Sequence, residues 1–235
     1  MSESQESSVD LARRVRIIQE AITYSRRFRN SWFIVHESGS QMSAATLATD
    51  LLMLQSLGIH VAAAIGEAES QLDSESVIVG LRREVNRGGL AGVELHWPEV
   101  RGSDAGFRDV GERWRSLGES ASMIVLVRCD ASESLRVAHQ MATQCSAAKV
   151  IYLERDWDPS SLKHGGPGSR RPSPSDLRPL LKGLNLGAQA ATIAAAIDVV
   201  ESGVDEAHVV PTRDEDHPIL VEIFTDEGIG TWLGP

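Results

Sequence analysis

The sequence predicts an α/β fold, a three-layer αβα sandwich around a largely parallel sheet. Compact apolar runs alternate with segments of helical period along most of the chain. The first complete unit reads strand, turn, helix, strand, a connection that is right-handed in nearly all parallel sheets. Abundant alanine and an aromatic share of only 5% suit helices packed closely on a sheet.

Residues 1–8 are polar and read as a disordered start. Residues 9–30 carry Leu11, Val15, Ile18, Ala21 and Ile22 at helical spacing, which predicts one amphipathic helix. Residues 31–235 read as a single domain. In it, Ser31 to His36 is a buried strand closed by the turn Glu37-Ser38-Gly39-Ser40. Ala44 to Leu57 is a helix with Gly58 as its C-terminal stop, and Ile59 to Ile65 is the next strand, ending at Gly66. Met123 to Val127 and Lys149 to Leu153 are strands flanking a helix from Ser132 to Ser146. Residues 156–179 hold most of the prolines and read as an irregular Pro/Gly-rich excursion. Leu184 to Ser202 is an alanine-rich helix stopped by Gly203. Ala207 to Val210 and Ile219 to Phe224 read as short strands. Residues 81–117 give no clear period, and no internal repeat is visible.

The chain has 235 residues, 42% apolar and 24% charged, enough for one domain with a sizeable core. A formal net charge of −10 disfavours nucleic acid and anionic membranes as partners. The Arg26-Arg27-Phe28-Arg29 stretch is the strongest basic patch and reads as one face of a helix. Cys129 and Cys145 lack metal-ligand or redox spacing, so two reduced, buried thiols are expected. Neither a secretory leader nor a membrane-length apolar run is visible, which points to the cytoplasm.

The string from His217 to Thr231, HPILVEIFTDEGIGT, resembles the C-terminal signature of N-acetylglutamate kinases and of the kinase-like half of N-acetylglutamate synthases. Glu20 to Arg29 is similar to the helix before the first strand in arginine-regulated members. Leu52 to Val61 and Gly203 to Val210 supply two further anchors in the same order. The resemblance, to the amino-acid kinase family, covers nearly the whole chain and is thin from Leu81 to Ala121. It implies the amino-acid kinase, or carbamate kinase-like, fold.

Phosphoryl transfer to a carboxylate requires cations and backbone amides that neutralise the transferred group. The resemblance places the first lysine–glycine turn at His36 to Gly39, so histidine replaces lysine and Glu37 adds an acid. The second glycine turn falls on Gly66, followed by Glu67, Ala68 and Glu69. The aspartate that organises the lysines falls on Leu135, with Asp130 available only through a shifted alignment. The second catalytic lysine falls on Thr192, and a nucleotide-side Thr-Asp on Glu154-Arg155. Losing these together predicts a loss of several orders of magnitude in rate.

The same resemblance implies an arginine-type ligand site at Tyr24, His208, Glu222 and Gly228. A carboxylate meets a guanidinium in two parallel hydrogen bonds, which suits Glu222. The plainer reading is that His208 and Tyr24 are core residues and that Glu222 and Gly228 shape a strand and turn. His164 to Gly168 reads as loop, and Asp214 to His217 as a solvated turn. His60, His96 and His139 lack metal-ligand spacing, so neither metal nor cofactor is expected.

Three readings follow. The first is a catalytically inactive regulatory pseudokinase linked to arginine biosynthesis. It binds arginine or an acetylated amino acid such as N-acetylglutamate, and acts as a homo-oligomer on a separate arginine-biosynthesis enzyme. The second is an active acetylglutamate kinase using Mg-ATP, with His36 or Arg155 supplying positive charge. The third is an oligomeric scaffold without a ligand.

Overall fold

The structure, a computed structural model, describes residues 19, 21–39, 41–67, 77–96, 112, 116–117, 123–158, 172–181, 189–213, 216–225 and 228–234. The expectations for residues 1–18, for His164 to Gly168 and for Asp214-Glu215 lie outside them, as does most of the 156–179 excursion.

The described chain runs α1 (residues 21–28), β1 (Trp32–Glu37), α2 (Ala44–Ser56), β2 (His60–Glu67), α3 (Val77–Arg87) and β3 (Ala91–His96). It continues through β4 (Met123–Asp130), α4 (Ser134–Cys145), β5 (Lys149–Glu154), α5 (Pro174–Leu181), α6 (Gln189–Glu201), β6 (Glu206–Pro211), α7 (Pro218–Phe224) and β7 (Thr231–Leu233). The seven strands lie in the order β3-β4-β2-β1-β5-β6-β7, all parallel except the β6–β7 pair. This is the α/β sandwich that the alternation predicts.

Strand alternation sorts the core into two layers. Trp32, Ile34, Tyr152, Ala207 and Val209 face α4, α5 and α6. Phe33, Val35, Ile151, Leu153 and Val210 face α1, α2, α3 and α7. Helix α2 begins where the Ser43 hydroxyl accepts the Thr46 N–H at 3.0 Å, and ends at Gly58, whose φ of 81° is open to glycine. Gly203 takes φ 101° after α6. Both cysteines are buried free thiols.

Two expectations are corrected. Residues 219–224 form a helix, not a strand, because Pro218 sets the first turn and Ile219, Glu222 and Ile223 bury one face at helical spacing. The antiparallel partner of β6 is instead Thr231–Leu233. Residues 174–181 are helical: Ser173 and Asp176 cap one another, with Ser173 N–H to Asp176 Oδ2 at 3.2 Å and Asp176 N–H to Ser173 Oγ at 3.3 Å. Helix α3 and strand β3 fill the start of the stretch without clear period. In α3, Ile78, Leu81 and Val85 are buried among arginines, and among the described residues β3 is an edge strand paired with β4 alone, which leaves its alternation weak.

Candidate functional sites at the two ends of the sheet

In parallel sheets, ligands bind beyond the carboxyl ends of the strands, where the order switches direction. Here the switch lies between β1 and β5, and that rim carries acids. Glu37, Glu67, Asp130 and Glu154 each terminate a strand, β1, β2, β4 and β5 respectively. Glu37 is buried. Glu154 accepts the Thr192 hydroxyl, and burial, with Glu37 adding to it, raises its carboxyl above the usual range. Glu67 accepts the Ile78 N–H at 3.2 Å and lies 3.6 Å from Arg128.

His36 lies on the α4 face of β1, the side opposite Glu37. Ser134 Oγ donates to the Ala131 carbonyl at 2.8 Å, so His36 Nε2–H donates to Ser134 Oγ at 2.9 Å. His36 Nδ1 is left bare and buried. Burial lowers this imidazole from 6.5 to about 4, so it is neutral at pH 7 and supplies no positive charge. Ser134 is no nucleophile here, because its proton points at a carbonyl and the histidine has no orienting acid.

Gly66 remains glycine for a packing reason. A Cβ there would stand 2.7 Å from Ser38 Oγ and 2.8 Å from Ser134 Cβ. Gly39, at φ 81°, opens the turn after β1. Leu135 packs half-buried on the core in the first turn of α4, and Thr192 is buried in α6. Arg155, the other cation of the active-kinase reading, is exposed in the turn after β5. A carboxylate about 6 Å from a phosphate oxygen costs roughly 3 kcal/mol at an effective dielectric near 20. The strand ends of this rim carry, among the described residues, four carboxylates and no lysine. Among the described residues, no group of three or more His, Cys, Asp or Glu is placed to hold a metal ion.

The second cluster lies toward the opposite end of the sheet, on the α1 face. His208 of β6 and Glu222 of α7 meet at 2.8 Å, Nδ1 to Oε1. Glu222 Oε2 accepts the N–H groups of Ile229 at 2.8 Å and Gly230 at 2.7 Å. Burial alone would raise this carboxyl, but the His208 contact and the two amides outweigh it and hold it low. Burial keeps His208 neutral, with Glu222 opposing and Lys149 reinforcing. Gly228 sits against this carboxylate: a Cβ there would stand 2.8 Å from Glu222 Oε2. Tyr24 of α1 packs on Phe28, Phe33 and Phe224, and its buried hydroxyl has no hydrogen-bond partner among the described residues. Burial raises its pKa, with the Arg27 charge opposing and the Glu222 charge adding to the rise.

The sequence reading missed two charged members of this cluster. Lys149 and Glu206 start β5 and β6, pair directly in register, and form a buried ion pair. Lys149 Nζ lies 3.4 Å from His208 Nε2, and Glu206 Oε2 lies 3.5 Å from the same nitrogen. The available signal was a charged residue opening an otherwise apolar strand. Asp50 was missed too. Wholly buried in α2, it takes His217 Nδ1–H at 2.7 Å and the Ile219 N–H at 3.2 Å, and so docks α7.

No family model matches the chain. It is 25% identical over 294 aligned positions to an acetylglutamate kinase of Nitrosomonas eutropha, covering 97% of this chain and 98% of that one. An acetylglutamate kinase of Helicobacter hepaticus is 34% identical over 99 residues, a match spanning only 33% of that protein. Among solved structures, N-acetylglutamate synthase from Neisseria gonorrhoeae, complexed with coenzyme A and L-arginine, superposes with a TM-score of 0.65 at 16% identity. That match covers 94% of this chain and 65% of the synthase. Giardia carbamate kinase gives 0.57 at 9% identity, covering 87% and 99%.

The chain resembles the amino-acid kinase family. Likeness at 16% and 9% identity shows the fold alone. Within that fold, Glu37, Glu67, Asp130 and Glu154 occupy the strand-end rim, and the His208–Glu222 cluster lies apart from it. No helix among the described residues is long and apolar enough to cross a membrane.

Proposed function

We propose that this amino-acid kinase-like chain is a catalytically inactive regulatory protein of arginine biosynthesis. It binds a guanidinium ligand of the arginine type at Tyr24, His208, Glu222 and Gly228. The observation that carries the first half is the acidic rim: four strands end in carboxylates where phosphoryl transfer needs cations. The second half is supported by a carboxylate held low beside a buried hydroxyl on a separate helix that has no partner among the described residues. A regulatory role places the output in another polypeptide or in a second copy of this chain, through α1.

Incubation with Mg-ATP and N-acetylglutamate tests the first half and should yield no acetylglutamyl phosphate above background. Turnover at an ordinary kinase rate would restore the active-enzyme reading. A ligand-free scaffold is favoured by one observation, that both Glu222 oxygens already have internal partners. Calorimetric titration with arginine separates the two, since the scaffold gives no heat.

A further inference from the structure

A cavity of about 410 Å³ opens between the C-terminal half of α2 and the turn that joins α3 to β3. None of its lining residues belongs to either cluster above, and its size lies within the range of small-molecule sites. Leu52, Met53 and Leu90 supply the apolar lining. The turn closes on Leu52 at Gly88, where a Cβ would stand 2.5 Å from Leu52 Cδ1. Met53 is 47% exposed, so its thioether is free to meet a ligand, and such sulfurs make favourable contacts with aromatic rings.

The polar atoms around the cavity are alike in kind. Gln55 is buried, and its amide oxygen has no hydrogen-bond partner among the described residues. Leaving such an oxygen dry and unpaired costs free energy, which a donor on a ligand would relieve. Thr49 Oγ1 donates its one proton to the Ala45 carbonyl at 2.9 Å, and Ser56 Oγ donates to the Met53 carbonyl at 2.7 Å. Both hydroxyls therefore present only lone pairs. Among the described residues, no Asp, Glu, Lys, Arg or His lines the cavity, so nothing there offsets the desolvation of an ion.

From these observations we propose that this cavity binds an uncharged aromatic molecule carrying an N–H or O–H group. That group donates to Gln55 Oε1, and the ring lies against Leu52, Met53 and Leu90. Such a site stands whether or not the His208–Glu222 cluster takes a ligand.

Titration of the full chain with indole and with benzofuran, followed by proton–carbon correlation spectra of the leucine and methionine methyl groups, tests this. Benzofuran keeps the shape of indole and replaces its N–H donor with an oxygen. Indole should shift the Leu52, Met53 and Leu90 methyl signals saturably, with a Kd below about 1 mM, and should bind at least about tenfold more tightly than benzofuran. In Gln55→Met, which removes the acceptor at similar volume, the two should bind within about twofold of each other. Shifts confined to other residues, or no saturation below about 1 mM, would overturn the site. Equal binding of the two probes to the unaltered protein would overturn the ligand class. An unchanged preference in Gln55→Met would remove Gln55 from the role. The two probes on the unaltered protein decide the matter even where Gln55→Met fails to fold.

Discussion

Glu222 satisfies three donors with two oxygens, one imidazole N–H and two backbone N–H groups. Removing its carboxylate strands all three in a buried place, so Glu222→Ala should cost about 2–4 kcal/mol, read by urea unfolding. Gly230 is held still more tightly, because a Cβ there would stand 2.4 Å from the Val209 carbonyl oxygen. Gly230→Ala should therefore destabilise by at least about 2 kcal/mol in the same assay. His36 predicts a pH dependence. Its pKa is lowered from 6.5 to about 4 in the fold, so the unfolded chain binds the proton more tightly. Its contribution is fully present above pH 6.5 and is lost as the pH falls toward 4, a change of about 3 kcal/mol. Unfolding free energies at pH 7 and pH 4.5 should differ less in His36→Phe than in the unaltered protein, and equal slopes would refute the assignment.

At the scale of elements, α7 stays in place through a contact that spans the chain. Asp50 of α2 binds both the side chain of His217 and the first turn of α7, 167 and 169 positions away. Asp50→Ala should cost about 2–4 kcal/mol, since it leaves a buried N–H unpaired. His217→Ala should cost about 1 kcal/mol or less, because that side chain is 43% exposed. Paired urea denaturation curves check the ranking. Elements with a strong local period were legible in the sequence, among them the fully buried β1 and the glycine-stopped α2 and α6. Helix α7 was misread because its run of branched apolar residues has strand composition, and only Pro218 and the 219–222–223 spacing mark it as a helix. Edge position hid β3, and proline content hid α5, where Pro174 opens a helix.

Across the whole molecule, two clusters lie toward opposite ends of one sheet with different chemistry. The strand-end rim is acidic and its histidine is neutral. The cluster beneath α1 joins the His208–Glu222 hydrogen bond to ion pairs of Glu206 with Lys149 and Arg27. Glu222 and Gly228 were singled out because the C-terminal string resembles a known signature, and His208 because the Gly203–Val210 stretch does. Their geometry shows that packing alone also accounts for that string, since Gly230, Gly228 and His217 each have a steric or hydrogen-bonding reason to be what they are. Lys149 and Glu206 were not legible, because only the β5–β6 register brings them together. Residue identity therefore does not separate a sensor from a scaffold, and ligand response does. The most direct measurement is the melting temperature of the protein titrated separately with arginine and with Mg-ATP. The account predicts a rise with arginine that follows saturation binding, and no change with Mg-ATP. A rise with Mg-ATP and none with arginine would contradict it.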